Sequence, residues 1–539
     1  MMAGMGLVWL LAIVVLLLAQ RGANKISEGK ITMSLAISRR SLLLTAAGGT
    51  LAGFAAPMPS WAAGASAKPT VLTAGRRTLE VNGRAATVFG ITQPDGTPGL
   101  YTEVGTPFRV TLRNDIGKDT LVHWHGLTPP YQQDGVPGIS GPPVAAGGTA
   151  DYDFPLNFGG TFWMHSHQGL QEQALMSAPL IIRERKAVDR QEVVLLMHDF
   201  SFKSPEEIFS GLRHATASMS GTSMDQTMGM AANQTMAMGG QGGGMPGMSG
   251  MSMGQTSGHA PDAGAAGMAL DLNDVVYDAF LANDRTLADP EVVRVERRGR
   301  VLLRIINASA ASNFQIDLGQ VQAKLVAVDG RPVQPLTGSV FPVAIAQRLD
   351  LEFQLTSDQT VVPVLAGLEG ERKRTGIMLA TATGQVPKLS ELASNPVPPL
   401  NFIVEQTLRA AKPLIPKPAD RVHRVDLTGS MAGYVWALNG LTYGHDKPLM
   451  VAKGQRVELL MTNRTMMSHP MHLHGHAFQV VAFNGRRFAG AVRDTVLVPP
   501  MQSVTVAFDA DNPGRWAFHC HNLYHMAAGM MTTVQYESF

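Results

Sequence analysis

The sequence predicts an all-β protein built from three antiparallel Greek-key β-sandwich domains, and three observations carry that prediction. A length of 539 residues suits about three domains, and 45% hydrophobic residues can fill several cores. Gly 56 and Pro 33 punctuate the chain at a density that fits turn-rich β architecture, while aromatics stay at 6%. A turn followed by an alternating strand recurs as GTPFRVTLRN at 105–114, GRVLLRIIN at 299–307 and GQRVELLMTN at 454–463. Lys+Arg 44 against Asp+Glu 42 leaves almost no net charge, so nothing points to nucleic acid.

The elements follow in chain order. Residues 1–67 read as targeting sequence and not fold, because Ser38-Arg39-Arg40-Ser41-Leu42-Leu43-Leu44 is a twin-arginine export signal and Ala65-Ser66-Ala67 a small-residue cleavage site. The expected location is therefore the periplasm. Residues 1–19 carry no charge and are apolar enough to span a membrane. Met33 is the favoured start, since it sits close to the arginines; an uncleaved anchor at 1–19 is the alternative and the single expected route to a membrane. Domain 1 is expected over 68–186, domain 2 over 187–394 and domain 3 over 395–539. Their boundaries are good to about ten residues.

Domain 1 carries His123-Trp124-His125 and His165-Ser166-His167. Side chains at i and i+2 of a strand share a face, so each pair can offer two imidazoles to one metal cluster. Domain 2 keeps the repeat but not the ligands: His123 and His472 lie nine residues after Asn114 and Asn463, whereas Ile316 lies nine after Asn307. A cluster is expected between domains 1 and 3, with domain 2 as a spacer. Domain 2 also holds a Gly/Ser/Thr/Gln insert, about 216–268, with Met219, Met224, Met228, Met230, Met236, Met238, Met245, Met248, Met251 and Met253. Such composition builds no core, so a surface excursion is expected. Thioethers favour cuprous ion, which makes the insert a candidate Cu(I) collector; a tolerated low-complexity loop is the alternative. His214 and His259 flank it.

Domain 3 holds the most informative residue. Cys520 is the only cysteine, and it stands in His519-Cys520-His521-Asn522-Leu523-Tyr524-His525 with Met530 beyond it and His469-Pro470-Met471-His472-Leu473-His474 upstream. No disulfide framework is available, so the thiol is expected to act as a ligand. Cys, His and Met together are the soft set of a copper electron-transfer site with an axial thioether, whereas zinc would more usually recruit a second cysteine or a carboxylate. Alternation along the strand sends the sulfur one way and the imidazoles of His519 and His521 the other. One strand thereby joins a single metal to a multi-metal cluster.

With these four histidine groups the chain resembles the three-domain multicopper oxidases, the family of laccases, ascorbate oxidase and bacterial copper-resistance oxidases, over roughly residues 70–539. The resemblance implies cupredoxin-like domains and four copper ions. It makes His469, Cys520 and His525 type 1 ligands with Met530 axial, His123 and His472 type 2 ligands, and His125, His165, His167, His474, His519 and His521 ligands of the type 3 pair. Asp134, in an Asp-Gly turn, matches a family acid near the cluster and is a candidate proton relay. Met526 replaces the acid that many cuprous oxidases carry after the second type 1 histidine. His198, His423, His445 and His476 lack partners at ligand spacing and read as structural.

The implied activity transfers single electrons from a reducing substrate through Cys520 to the cluster, where four reduce O2 to water. The type 1 histidine edge is expected near the surface of domain 3. Cuprous ion oxidation for copper tolerance is the first reading of the substrate, because residues 465–475, the twin-arginine signal and the Met-rich insert resemble the periplasmic copper-resistance oxidases. Oxidation of phenols or aromatic amines is the second, because residues 475–481 read more like a general laccase. A periplasmic copper-sequestering protein is the non-enzymatic alternative. The chain is expected to be monomeric.

Overall fold

The computed structural model describes residues 68–186, 188–221 and 272–539. The export signal, both N-terminal start alternatives and nearly all of the Met-rich insert lie outside the described residues. Within them the chain forms six sheets, two for each of three successive sandwiches, and few helices. No helix among the described residues is long and apolar enough to cross a membrane.

The three copies of the sequence repeat become equivalent central strands, Pro107–Asn114, Arg300–Asn307 and Arg456–Asn463. Each ends in an asparagine whose side chain pins the following corner. The Asn114 amide donates to Lys118 O and Val144 O, that of Asn307 to Ser312 O and Val343 O, and that of Asn463 to Met467 O and Val498 O. In every copy the side-chain oxygen accepts from the backbone N–H two residues on. Buried backbone groups at a corner have no ladder partner, and the amide supplies one.

The sheets are not purely antiparallel. The first strand of each sandwich runs parallel to the central strand, pairing Thr70 with Val110, Gln191 with Val301 and Arg421 with Val457. The second sheets contain parallel pairs too, such as Leu449 with Val534. Parallel neighbours need a crossover, which here passes through the opposite sheet of the sandwich.

Burial along the central strands records how the sandwiches meet. Pro107–Asn114 alternates between core and surface, as a sheet wet on one face should. Arg300–Asn307 is buried at every position after the first. Its outer face is covered, since Ile306 packs with Trp163 and Ile181 of the first sandwich.

The asparagine pins should matter most in the middle copy, which has no histidine beside it. Asn307→Leu should cost on the order of 2–3 kcal/mol by leaving buried carbonyls unpaired. A urea titration reads this, and an unchanged midpoint would contradict the corner-pin account.

Candidate metal centres

The strand Arg515–Cys520 runs between the strands His469–Leu473 and Met531–Tyr536 in the C-terminal sandwich. Its last residue, Cys520, places Sγ 3.7 Å from His469 Nδ1 and 3.7 Å from His525 Nδ1, and the two nitrogens are 3.2 Å apart. Local structure aims each group. Thr465 Oγ1 lies 2.8 Å from His469 Nε2, turning the opposite nitrogen toward the sulfur. His525 rides on the short helix Leu523–Ala527, whose cap Asn522 accepts from the Tyr524 and His525 N–H groups. Cys520 N donates to Met530 O and Met530 N to His525 O, so the buried Met530 closes the same loop.

His519 and His521 leave the opposite side of that strand and meet imidazoles from the first sandwich. His123 and His125 come from the strand Val122–His125, and His165 from the neighbouring strand Gly160–Ser166, with His167 just beyond. Across the domain boundary His125 stacks on His472 with centroids 3.8 Å apart, and His123 lies 3.9 Å from His474. The structure thus gathers the eight non-sulfur-side histidines between domains 1 and 3, and the three sulfur-side groups in a separate buried nest.

The free nitrogens test whether metal ions fit. His123 Nε2, His472 Nε2, His125 Nδ1, His165 Nε2 and His521 Nε2 are buried with no hydrogen-bond partner. Nε2 of His519 lies 3.0 Å from that of His474 and 3.4 Å from that of His167, although neutral rings bonded through Nδ1 would bring lone pairs to both. Buried polar atoms are normally satisfied. Cations among these nitrogens would satisfy them, and His123, His125 and His165, or His167, His474 and His519, bring one ligand atom each within 4.8 Å of one another. The donor set fits copper.

The second nitrogen of almost every ring is held from outside the cluster, by groups of which the sequence reading singled out only Asp134. Asp134 contributes twice: its peptide oxygen accepts from His123 Nδ1 at 2.8 Å and its Oδ2 from His474 Nδ1 at 2.9 Å. Gly135 follows with φ +83, and a Cβ there would collide with Val122 O, so the Asp-Gly turn is needed to reach the cluster. Asp494 Oδ1 lies 3.0 Å from His125 Nε2, and Asp494 O 2.8 Å from His472 Nδ1. Glu172 Oε2 lies 2.8 Å from His165 Nδ1, with Oε1 3.9 Å from His521 Nδ1. His519 Nδ1 meets Cys520 O at 2.9 Å. Such outer partners fix tautomer and ring direction. A carboxylate between two glutamines, close after His-Ser-His, was the signal for Glu172; nothing local marked Asp494.

Two expectations need correction. The edge of His525 does not reach the surface: Nε2 lies 2.8 Å from Asp274 Oδ2, and both side chains are fully buried. Tyr434 OH donates to the same oxygen at 2.6 Å, and the Asn522 amide at 3.3 Å. Burial would raise the Asp274 carboxyl, but His525, Tyr434 and Asn522 together hold it below its usual value. Nor is domain 2 only a spacer, because Asp274, Arg348 and Asp329 belong to it and reach both centres. Their partners in domain 3 lie more than a hundred residues away, so no pairing with either centre was visible in sequence. The four histidines read as structural stay apart from both nests: His198 meets Ser177 Oγ, His423 meets Met450 O, and His476 meets Tyr536 OH. His445 makes a backbone turn bond to Thr442 O.

Burial also sets the proton chemistry. It pushes His125, His165, His167, His469, His472, His474 and His521 well below the usual histidine value, and His198, His476 and His519 down to about 4. Neutral imidazole is the ligating form. Burial pushes the Cys520 thiol up, so its thiolate needs a cation beside it. Unfolded histidines titrate near ~6.5. Below that value the unfolded chain binds more protons than the fold, and stability falls with pH. Burial also raises the carboxyls of Glu172, Asp199, Asp350, Glu369, Glu405 and Asp494, which opposes the trend, but the lowered histidines outnumber them. The metal-free protein should show a urea midpoint that drops steadily from about pH 7 to pH 5, whereas a flat profile would contradict neutral burial of the rings.

Sequence models described as multicopper oxidase match residues 73–187, 229–364 and 416–538. The multicopper oxidase MmcO of Mycobacterium tuberculosis is 30% identical over 461 residues, covering 83% of this chain and 82% of that protein. Copper resistance protein A of Escherichia coli is 25% identical over 646 residues, covering 94% of this chain and 100% of that one. Among solved structures, the iron-import multicopper oxidase Fet3p superposes with a TM-score of 0.67 at 20% identity, covering 87% and 90% of the two chains. The Botrytis aclada laccase superposes with a TM-score of 0.66 at 19% identity, covering 86% and 88%. These two likenesses show the fold, three cupredoxin-like sandwiches. With matches over all three sandwiches and a relative of this identity and coverage, the chain belongs to the multicopper oxidase family and is an oxidoreductase.

Proposed function

We propose that the chain oxidises cuprous ion in copper tolerance, coupling four one-electron oxidations to the reduction of O2 to water. The observation that carries this reading is where the Met-rich insert leaves and re-enters the fold. On the entering side the helix Pro205–Gly221 packs Phe209 against Tyr434 and Tyr524. On the returning side Asp274 meets His525 itself. The returning flank therefore meets the proposed electron-entry histidine and the entering helix reaches it by way of Tyr434, and the thioethers of the insert favour a soft monovalent cation. The similarity to copper resistance protein A supports the same reading.

In this reading His469, Cys520, His525 and Met530 hold the type 1 copper, His123 and His472 the type 2 copper, and His125, His165 and His521, with His167, His474 and His519, the type 3 pair. The metals, when bound, supply one-electron redox chemistry and a site for O2. The protein residues do the rest. Asp274 receives the substrate end of the path at His525, the backbone from Cys520 to His519 and His521 links the two nests, and Asp134 holds a proton acceptor at Oδ2 beside His474. Domains at 68–186, 187–394 and 395–539, export to the periplasm by the Arg39-Arg40 signal, and a monomeric state complete the proposal.

Cys520→Ser should abolish the intense blue thiolate absorption and all substrate oxidation while copper in the histidine cluster remains. Retained blue colour would contradict the assignment. Deleting residues 219–253 should raise the apparent KM for Cu(I) without lowering oxidation of a phenol, because only the soft cation uses the insert. Steady-state O2 uptake on copper-loaded protein compares the two. Equal losses on both substrates would mean that the deletion damaged domain 2, and no loss on Cu(I) would return the insert to a tolerated loop and remove the support for cuprous oxidation.

A further inference from the structure

We propose that Arg348, from the sandwich that supplies no histidine to either nest, is a positioning residue for the histidine cluster, acting through Asp494 on His125 and His472. The inference rests on the reading of those histidines as copper ligands. Arg348 is completely buried. Its Nη1 donates to Asp494 Oδ1 at 2.8 Å and its Nη2 to Asp494 Oδ2 at 2.5 Å, a two-pronged pairing that fixes the plane of the carboxylate. Its Nε donates to Thr161 O at 3.3 Å, on the strand that carries His165. One guanidinium thus ties together all three domains.

The carboxylate so held is the group beside the cluster. Asp494 Oδ1 faces His125 Nε2 at 3.0 Å and the Thr495 hydroxyl at 2.9 Å, and its peptide oxygen faces His472 Nδ1 at 2.8 Å. His125 and His472 are the stacked pair from different domains, each with its other nitrogen unpartnered. A carboxylate free to rotate about its side chain would leave His125 free to turn that nitrogen away. Gly126 shows how closely the pair is seated: a Cβ there would lie 2.5 Å from Arg348 Nη2 and 2.8 Å from Asp494 Oδ2.

The charges form a ladder behind the cluster. Asp329 accepts from Arg348 N at 2.9 Å and from Arg493 Nε at 2.9 Å, and Arg493 reaches on to Glu405. Two buried cations therefore stand among two buried carboxylates, Asp494 and Asp329, and the partly buried Glu405. Removing one cation from such a set leaves an uncompensated charge at its neighbour, here Asp494. The carboxylate then loses its fixed plane, and the change is felt at His125. Lys in place of Arg would keep the charge but lose the fork.

The test compares Arg348→Met, Arg348→Lys, Asp494→Asn and the double variant Arg348→Met with Asp494→Asn, each loaded with copper. Copper per chain is measured after dialysis against graded chelator, with the electron paramagnetic resonance signal of the non-blue copper, the blue absorption and the urea midpoint. Arg348→Met should keep its blue absorption yet hold cluster copper 10–100-fold less tightly, with an altered non-blue signal. Arg348→Lys should fall between it and wild type, and answers the same question if the Met variant does not accumulate. The double variant should retain cluster copper no worse than Asp494→Asn alone, because Arg348 acts through that carboxylate. Wild-type copper retention and an unaltered signal in both Arg348 variants would overturn the inference, as would parallel loss of blue and non-blue copper, which marks general unfolding. Wild-type protein that binds blue copper but no cluster copper would overturn the ligand reading and this inference with it.

Discussion

Side-chain alternation along one strand is the constraint on which the rest of the site depends. Cys520 and its two neighbours cannot all face the same way, so a single segment must serve two nests on opposite sides of one sheet. The sulfur falls among His469 and His525, and the imidazoles fall among rings of the first sandwich. Covalent bonds alone then set the spacing between the centres. The pairing Met471 with Cys520 and His472 with His519 carries the same alternation onto the next strand, whose residues also divide between the two nests.

Gathering neutral rings is costly without metal, and the fold offsets that cost from outside. The inner nitrogens of His123, His125, His165, His472 and His521 are left unpartnered, while the outer nitrogens of the two nests meet Asp134, Asp494, Glu172, Asp274, Thr465 or backbone oxygens. This division gives the buried rings a direction before any ion arrives. It also explains why the sandwich without ligands persists in the repeat. Its Asp274 reaches one nest and its Arg348 the support of the other, so it holds the geometry that the first and third sandwiches share.

What was legible in the sequence was local. Strand repeats ending in Asn114, Asn307 and Asn463 mark equivalent corners because each asparagine bonds residues within its own sandwich. Histidine pairs at i and i+2 mark a shared face for the same reason. Asp494, Asp274 and Arg348 were not legible, because their meaning depends on partners in another sandwich, and a buried Arg-Asp-Thr run looks like any charged turn until Arg348 is folded onto it. The burial of His525 was not legible on the same ground: Asp274, which meets it directly, and Phe209, which packs on its neighbour Tyr434, flank an insert whose composition says nothing about where it stands. Mixed strand direction was likewise invisible, since alternation of side chains is the same in parallel and antiparallel pairs.

The central claim is that one strand feeds two copper nests whose ligands are already aimed by the fold. Anomalous diffraction at the copper edge from crystals of the copper-loaded protein tests it most directly. The account predicts one peak enclosed by His469 Nδ1, His525 Nδ1 and Cys520 Sγ, and three peaks among the unpartnered nitrogens of His123, His125, His165, His472 and His521 and the facing Nε2 atoms of His167, His474 and His519. A single peak at the sulfur nest with none among the imidazoles, or copper bound through the outer nitrogens, would contradict it.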